Sequence, residues 1–229
     1  MANRTVHTED AIAWLKAQGT LTGASLVASL PDLSEFPGHT SAQWSAWFIE
    51  TARLILEKTP PDGVTLFFQS DIKLEGVWID KGYLAQKAAE VSGHALLFHK
   101  IFCRAAPGAV TYGKPSYSHL LAFSREVRPD LSRGTADVVP DLGEKAWVRG
   151  MGYRACREAC EFVLRETATR TVINPFCGLG SLLAVANELG LDAIGIERSP
   201  KRAEKALALA VEAGRWSNAT PSERGSRSR

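Results

Sequence analysis

Short apolar runs alternate with amphipathic stretches along the chain, the pattern of βαβ units wrapped around a mostly parallel sheet. Residues 21–28 form a continuous apolar run that predicts a strand. Residues 41–58 set Trp44, Trp47, Phe48, Ile55 and Leu56 at helical spacing, and Pro60-Pro61 stops the helix. A strand is predicted at 64–69, and Asp80 caps a helix to about Val91. Residues 94–103 and 116–124 read as two strands with no helix between them, so they should pair antiparallel. Turn chemistry fills 125–148: Pro129-Asp130, Arg133-Gly134, Pro140-Asp141 and Gly143. Then follow a helix over 153–167, a strand at 171–174, a glycine turn, a helix to about Glu188, a strand at 193–196 and a last helix. Ser199 caps that helix, Pro200 takes its first position and Gly214 follows its end. The Ser/Arg-rich stretch 218–229 has no apolar face and is expected to be a disordered tail.

The most informative pattern is Thr171-Val-Ile-Asn-Pro-Phe-Cys-Gly-Leu-Gly-Ser181 followed by Ala193-Ile-Gly-Ile-Glu197. An apolar strand enters a tight turn carrying Gly178 and Gly180, and a helix leaves it. Glycines there let the backbone approach a ligand closely. Glu197 ends the next strand, where a carboxylate can accept both hydroxyls of a ribose. A dinucleotide needs G-x-G-x-x-G/A and room for a pyrophosphate. Here Pro175 and Phe176 crowd the turn, which points to a cofactor with an amino-acid end.

Composition and charge change this picture little. The 229 residues suffice for a sizeable core, and 45% hydrophobic with 23% charged residues is ordinary for a soluble globular chain. A net charge of +2 announces no polyanion partner. No apolar run approaches a membrane span, and the N-terminus has no apolar signal core, so a cytoplasmic location is expected. Four cysteines lack paired CxxC spacing; Cys156 and Cys160 would share a helix face, and without nearby further ligands no metal is expected.

Asn174-Pro-Phe-Cys-Gly-Leu-Gly-Ser181 resembles the D-P-F-x-G-[ST]-G-T motif of the S-adenosylmethionine-dependent amino-methyltransferases of DNA and RNA, with Asn174 in place of the usual Asp. Ala193–Glu197 is similar to the family's second motif. The cofactor motif lies near the C-terminus, which resembles the permuted branch that carries its catalytic half first. The resemblance implies a Rossmann-like class I α/β fold: a doubly wound, seven-stranded sheet with one antiparallel strand, its motif order circularly permuted. It implies a single domain over 1–217, with a catalytic half at 1–124, a connection at 125–150 and a cofactor-binding half at 151–217. It also implies S-adenosylmethionine contacts from Asp10 (or Glu9), Ser29, Asn174, Phe176, Cys177, Gly178, Gly180, Ser181, Glu197 and Arg198.

Ser29-Leu-Pro31-Asp32 falls where the family carries [DNS]-P-P-[YFW], whose first residue and a following carbonyl accept hydrogen bonds from the target amino group while the aromatic stacks on the base. Ser29 and Pro31 match. Leu30 replaces the first Pro, and Asp32 replaces the ring. As implied catalytic residues, Ser29 and Pro31 hold the substrate, and Asp32 holds an N–H or O–H or serves as a base. Tyr117 and His119 either face substrate or pack between strands, and Trp147 is a candidate to stack on a base. With no evident insertion for reading duplex sequence, the expected activity is methylation of a transfer or ribosomal RNA nucleoside. The alternatives are a small-molecule or protein methyltransferase, or a non-catalytic RNA- or partner-binding subunit. Oligomeric state is open.

Overall fold

Parallel pairing between segments far apart in sequence organises the computed structural model, which describes residues 2–211. In chain order the elements are β1 (Arg4–His7), α1 (Ala11–Ala17), β2 (Ala24–Ala28), α2 (Ser41–Lys58), β3 (Thr65–Gln69), β4 (Ile72–Leu74), β5 (Val77–Ile79), α3 (Lys81–Val91), β6 (Ala95–Cys103), β7 (Tyr117–Ser124), β8 (Val138–Val139), α4 (Tyr153–Glu166), β9 (Thr171–Asn174), α5 (Ser181–Glu188), β10 (Asp192–Ile196) and α6 (Pro200–Ala208). The main sheet runs β1-β10-β9-β2-β3-β7-β6-β8. β9 lies between β10 and β2, with Thr171–Ile173 beside Ala24–Leu26 in parallel.

Strands buried on both faces must send alternate side chains to opposite layers. Ile173, Leu26, Phe67, Leu121 and Phe123 pack with α1, α2 and α3. Val172, Val27, Leu66, Leu120 and Ala122 pack with α4, α5 and α6. That is a doubly wound α/β sandwich. The permuted order is closed at one edge. β1 pairs in parallel with β10, and Arg4 donates to Asn187 Oδ1 (2.7 Å) and to the Ala206 carbonyl (3.0 Å), tying the start of the chain to α5 and α6.

Several expectations need correction. The main sheet has eight strands, because Val138–Val139 inside the expected connection pairs in parallel with β6. The one antiparallel strand of the main sheet is β7, as expected, and it runs against both β3 and β6. The strand expected from Leu21 begins at Ala24: the Leu21 amide is taken by the Lys58 carbonyl, and Gly23 turns at φ +75°. After β3, β4 and β5 form a separate antiparallel hairpin. Helix α6 ends at Ala208. Gly214, the C-terminal limit of the domain and the tail at 218–229 lie outside the described residues. No helix among the described residues is long and apolar enough to cross a membrane.

Candidate active site

Open parallel sheets bind ligands beyond the C-terminal ends of their strands. Here a cavity of about 840 Å³ lies over the ends of β2, β3, β9 and β10. The glycine turn forms one side. Asn174 is buried, and its Oδ1 accepts from the Phe176 amide (3.2 Å), so a side-chain amide oxygen does the turn-capping work of a carboxylate. The Cys177 amide donates to the Ile196 carbonyl (3.0 Å), stitching the turn to β10. Gly178 takes φ +56°, and Trp147 covers it at 3.3 Å from where a Cβ would stand. At the end of β10, Glu197 is 9% exposed; its Oε1 accepts from the Ser199 amide (2.8 Å) and faces Arg202 at 3.6 Å. Asp10 caps α1 by accepting from Ala13 (2.9 Å) and lines the cavity, whereas Glu9 stands 3.8 Å from His7 and does not.

Asp10, Ser29, Pro31, Asp32, Asn174, Phe176, Cys177, Gly178, Ser181, Glu197 and Arg198 therefore share one cavity. Gly180 does not. Its amide is spent on the Cys177 carbonyl (2.8 Å), its φ is +82°, and a Cβ there would stand 2.8 Å from the Ala206 backbone. This glycine is required for α6 to pack against the turn, which is why it falls outside the cavity lining.

After β2 the chain turns through Pro31, whose carbonyl accepts from the Trp44 indole (3.3 Å), into a 3-10 turn at Leu33–Glu35. Asp32 caps that turn and receives the ammonium of Lys81 at 2.8 Å; Lys81 itself is 3% exposed. Burial pushes the Asp32 carboxyl up, but the charge and hydrogen bond of Lys81, helped by Ser34, outweigh it and hold Asp32 below the usual carboxylate range. Asp32 stays ionised and is a weak proton acceptor. Other aromatic rings gather near this turn: Phe36 and Trp47 lie 4.4 Å apart, and Trp47 meets Phe176 at 6.5 Å. All three line the cavity.

Sequence reasoning missed Lys81, Phe36 and Asp71. Lys81 had one signal, a lysine directly after the helix cap Asp80. Asp71 is buried on the cavity wall and accepts from His119 Nε2 (2.9 Å), the Lys81 amide (2.9 Å) and the Trp78 indole (2.9 Å). Burial raises its carboxyl, but these donors, His119 first, bring it below the usual range. His119 is buried, and its other ring nitrogen meets His99 at 2.7 Å, so it supports Asp71 from behind the cavity. Asp80 comes near the same histidine at 4.0 Å, though the oxygens of Asp71 are already engaged. Tyr117 packs its ring on His119. Cys156 and Cys160 are fully buried on α4. Burial, then the charge of Glu197, pushes the Cys177 thiol up to about 12, so it is no nucleophile at neutral pH.

No family model matches the chain, and no curated protein does. Solved structures do. A Thermus thermophilus protein described as a candidate DNA modification methylase, complexed with S-adenosylmethionine, aligns over 90% of this chain and 93% of its own at 18% identity, with a TM-score of 0.68. The cytosine-N4-specific PvuII DNA methyltransferase aligns over 93% and 88% at 15% identity, TM-score 0.69. The fold is that of an S-adenosylmethionine-dependent amino-methyltransferase. The complex of M1.HpyAVI with the same cofactor agrees, over 89% and 98% at 12% identity, TM-score 0.61.

Proposed function

We propose that this chain transfers the methyl group of S-adenosylmethionine to an exocyclic amino group of a base in nucleic acid. The observation that carries the reading is the meeting of the glycine turn, Glu197 and Ser29–Asp32 in one cavity. The donor and acceptor set suits the cofactor. Glu197 is a buried carboxylate with one oxygen fixed by a backbone amide and the other without a hydrogen bond among the described residues, ready to accept from a ribose hydroxyl. When bound, the cofactor supplies a methyl group on a positively charged sulfur, open to in-line displacement.

The chain's own residues then mainly position the nucleophile. Asp32, kept charged by Lys81, accepts an N–H of the target amine and favours the positive charge that the nitrogen gains as it attacks. Such charge-assisted hydrogen bonds are worth about 1.5–3 kcal/mol. Because its carboxyl is held low, Asp32 acts by holding the amine, and the proton leaves to solvent after transfer. Ser29 lies beside it as a second polar contact, and Phe36 and Trp47 offer faces to the base.

The sequence points to RNA as the substrate. The structural neighbours named by substrate act on DNA, and they support DNA as the first substrate to test. The test is transfer of isotopically labelled methyl from S-adenosylmethionine into unmethylated DNA and RNA pools. Label in DNA supports the reading, label in RNA alone restores the RNA expectation, and label in neither, with the cofactor bound, removes a nucleic-acid substrate.

A further inference from the structure

The arginines that stand out between 125 and 157 in the sequence are spent inside the fold. Arg125 donates to the Thr59 carbonyl, and Arg128 to two carbonyls of its own loop. Arg133 pairs with Asp130 and Glu166, Arg149 with Glu35, Arg154 with Asp141, and Arg157 with Glu161 and Glu188. Three other cations are arranged in the opposite way. Arg104 just after β6, Lys114 in the β6–β7 loop and Lys145 in the connection all line the active-site cavity. None of the three makes an ion pair among the described residues.

The backbone holds this arrangement together. The amides of Arg104 and Ala105 both donate to the Ser116 carbonyl (2.6 and 3.1 Å), pinching the loop at its base so that Arg104 and Lys114 stand on neighbouring strand ends. Lys145 is half-buried against them. Burial first, then the neighbouring charges of Arg104 and Lys114, hold its ammonium below the usual lysine range. No acid that lines the cavity forms an ion pair with them among the described residues. Asp32 is taken by Lys81, Glu35 by Arg149, Asp71 by His119, Glu197 by the Ser199 amide with Arg202, and Asp10 by the Ala13 amide. An anion from outside is what this wall lacks.

We propose that Arg104, Lys114 and Lys145 form a phosphate-binding wall that seats the sugar-phosphate backbone of a polynucleotide while its target base enters the cavity. The inference rests on the nucleic-acid reading above and adds to it the side of the cavity from which the strand approaches. The adjoining surface suits an unstacked strand. Lys73 of β4 donates to the Thr111 carbonyl (3.1 Å), joining the hairpin to the β6–β7 loop, and lies over the Trp78 ring at 4.8 Å. Trp78, whose ring stacks with Tyr117 at 6.4 Å, is 46% exposed, and Tyr112, two residues before Lys114, is 92% exposed and offers a ring on which a base can stack. A single carboxylate, such as that of the cofactor's amino-acid end, is the other anion available, but it does not call for three cations on three segments.

Binding of short single-stranded and duplex DNA is measured by fluorescence anisotropy over a salt series for the full chain and for Arg104→Gln, Lys114→Gln, Lys145→Gln and the triple variant. Calorimetry with S-adenosylhomocysteine runs beside it, and thermal melts check folding. Each substitution should flatten the log affinity against log salt slope by about 0.9 on duplex or 0.7 on a single strand, and the triple variant by about 2 to 3, with cofactor affinity unchanged. Arg128→Gln with Arg133→Gln should leave the slope as it is. The proposal fails if wild type binds neither DNA at low salt, or if the slopes do not move. It also fails if cofactor affinity falls while the slopes hold, which would assign the cations to the cofactor's carboxylate. Should Lys145→Gln unfold, the Arg104 and Lys114 variants carry the same test. Binding without methyl transfer would leave the wall standing and remove the proposed activity; transfer with unmoved slopes would do the reverse.

Discussion

Replacing Lys81 by Met removes the charge that governs Asp32 while keeping the length of a side chain packed against Trp44. The ammonium stands 2.8 Å from Asp32 Oδ2, with Lys81 3% and the Asp32 side chain 44% exposed. A charge-assisted hydrogen bond contributes about 1.5–3 kcal/mol when desolvated. Water reaches the Asp32 side, so the loss should fall near the lower end, about 1–2 kcal/mol. For a chain of this size that lowers Tm by about 2–8 °C. The pH dependence follows from the direction of the shift. Asp32 is depressed in the folded state, so its contribution is present above the unfolded carboxylate value of about 4 and fades as pH falls through the lower folded value. The difference in stability between wild type and Lys81→Met should therefore shrink as the solution becomes acidic. Burial then acts on Asp32 without its main opponent, and the acid limb of methyl transfer moves to higher pH. Asp32→Ala should cost more than Lys81→Met, because it strands a buried ammonium, a loss of about 3–5 kcal/mol. Thermal melts and methyl-transfer rates across about pH 3–8 measure both effects. Equal stability of wild type and Lys81→Met at neutral pH, together with an unmoved acid limb, would refute this account of Asp32.

Glu197→Gln should weaken S-adenosylmethionine binding about tenfold or more in calorimetry, since it removes the charge from hydrogen bonds to the ribose; unchanged affinity would remove Glu197 from the cofactor site. Gly180→Ala should destabilise the chain by at least about 1 kcal/mol in urea unfolding, because the new Cβ meets the Ala206 backbone at 2.8 Å on a left-handed residue. A silent substitution would mean that α6 does not pack there. Iodoacetamide at mildly alkaline pH should label Cys103 first, as Cys156, Cys160 and Cys177 are buried with raised thiols. Peptide mass spectrometry showing Cys177 modified at the same rate would contradict the closed turn.

What could be read from the sequence was whatever depends on neighbours in the chain. Helix α2 spans the residues whose apolar spacing predicted it and ends before Pro60-Pro61, and Asp80 caps α3 as its position implies. The strand–turn–helix–strand order around Gly178 and Glu197 marked residues that line one side of the cavity for the same reason. The misses involve partners far apart. Asp32 and Lys81 are separated by 49 residues, and Asp71 finds its histidine, His119, 48 residues further on. Two-residue β8 has too little sequence to show a period, and its pairing depends on β6 being already in place. The pairing of the arginines in and after the connection is hidden for a related reason: several of their acids lie on α4, on α5 and in the turn after Asp32, so those pairs are visible only in the fold.

Identification of the methylated atom tests the central claim most directly. DNA incubated with the protein and methyl-labelled S-adenosylmethionine is digested to nucleosides and resolved by mass spectrometry, with Asp32→Asn in parallel. The account predicts label on an exocyclic amine, as N4-methylcytosine or N6-methyladenine, and a strong loss of rate in Asp32→Asn with cofactor binding retained. Label on a ring carbon or a ribose oxygen, or an Asp32→Asn variant as fast as wild type, would contradict it.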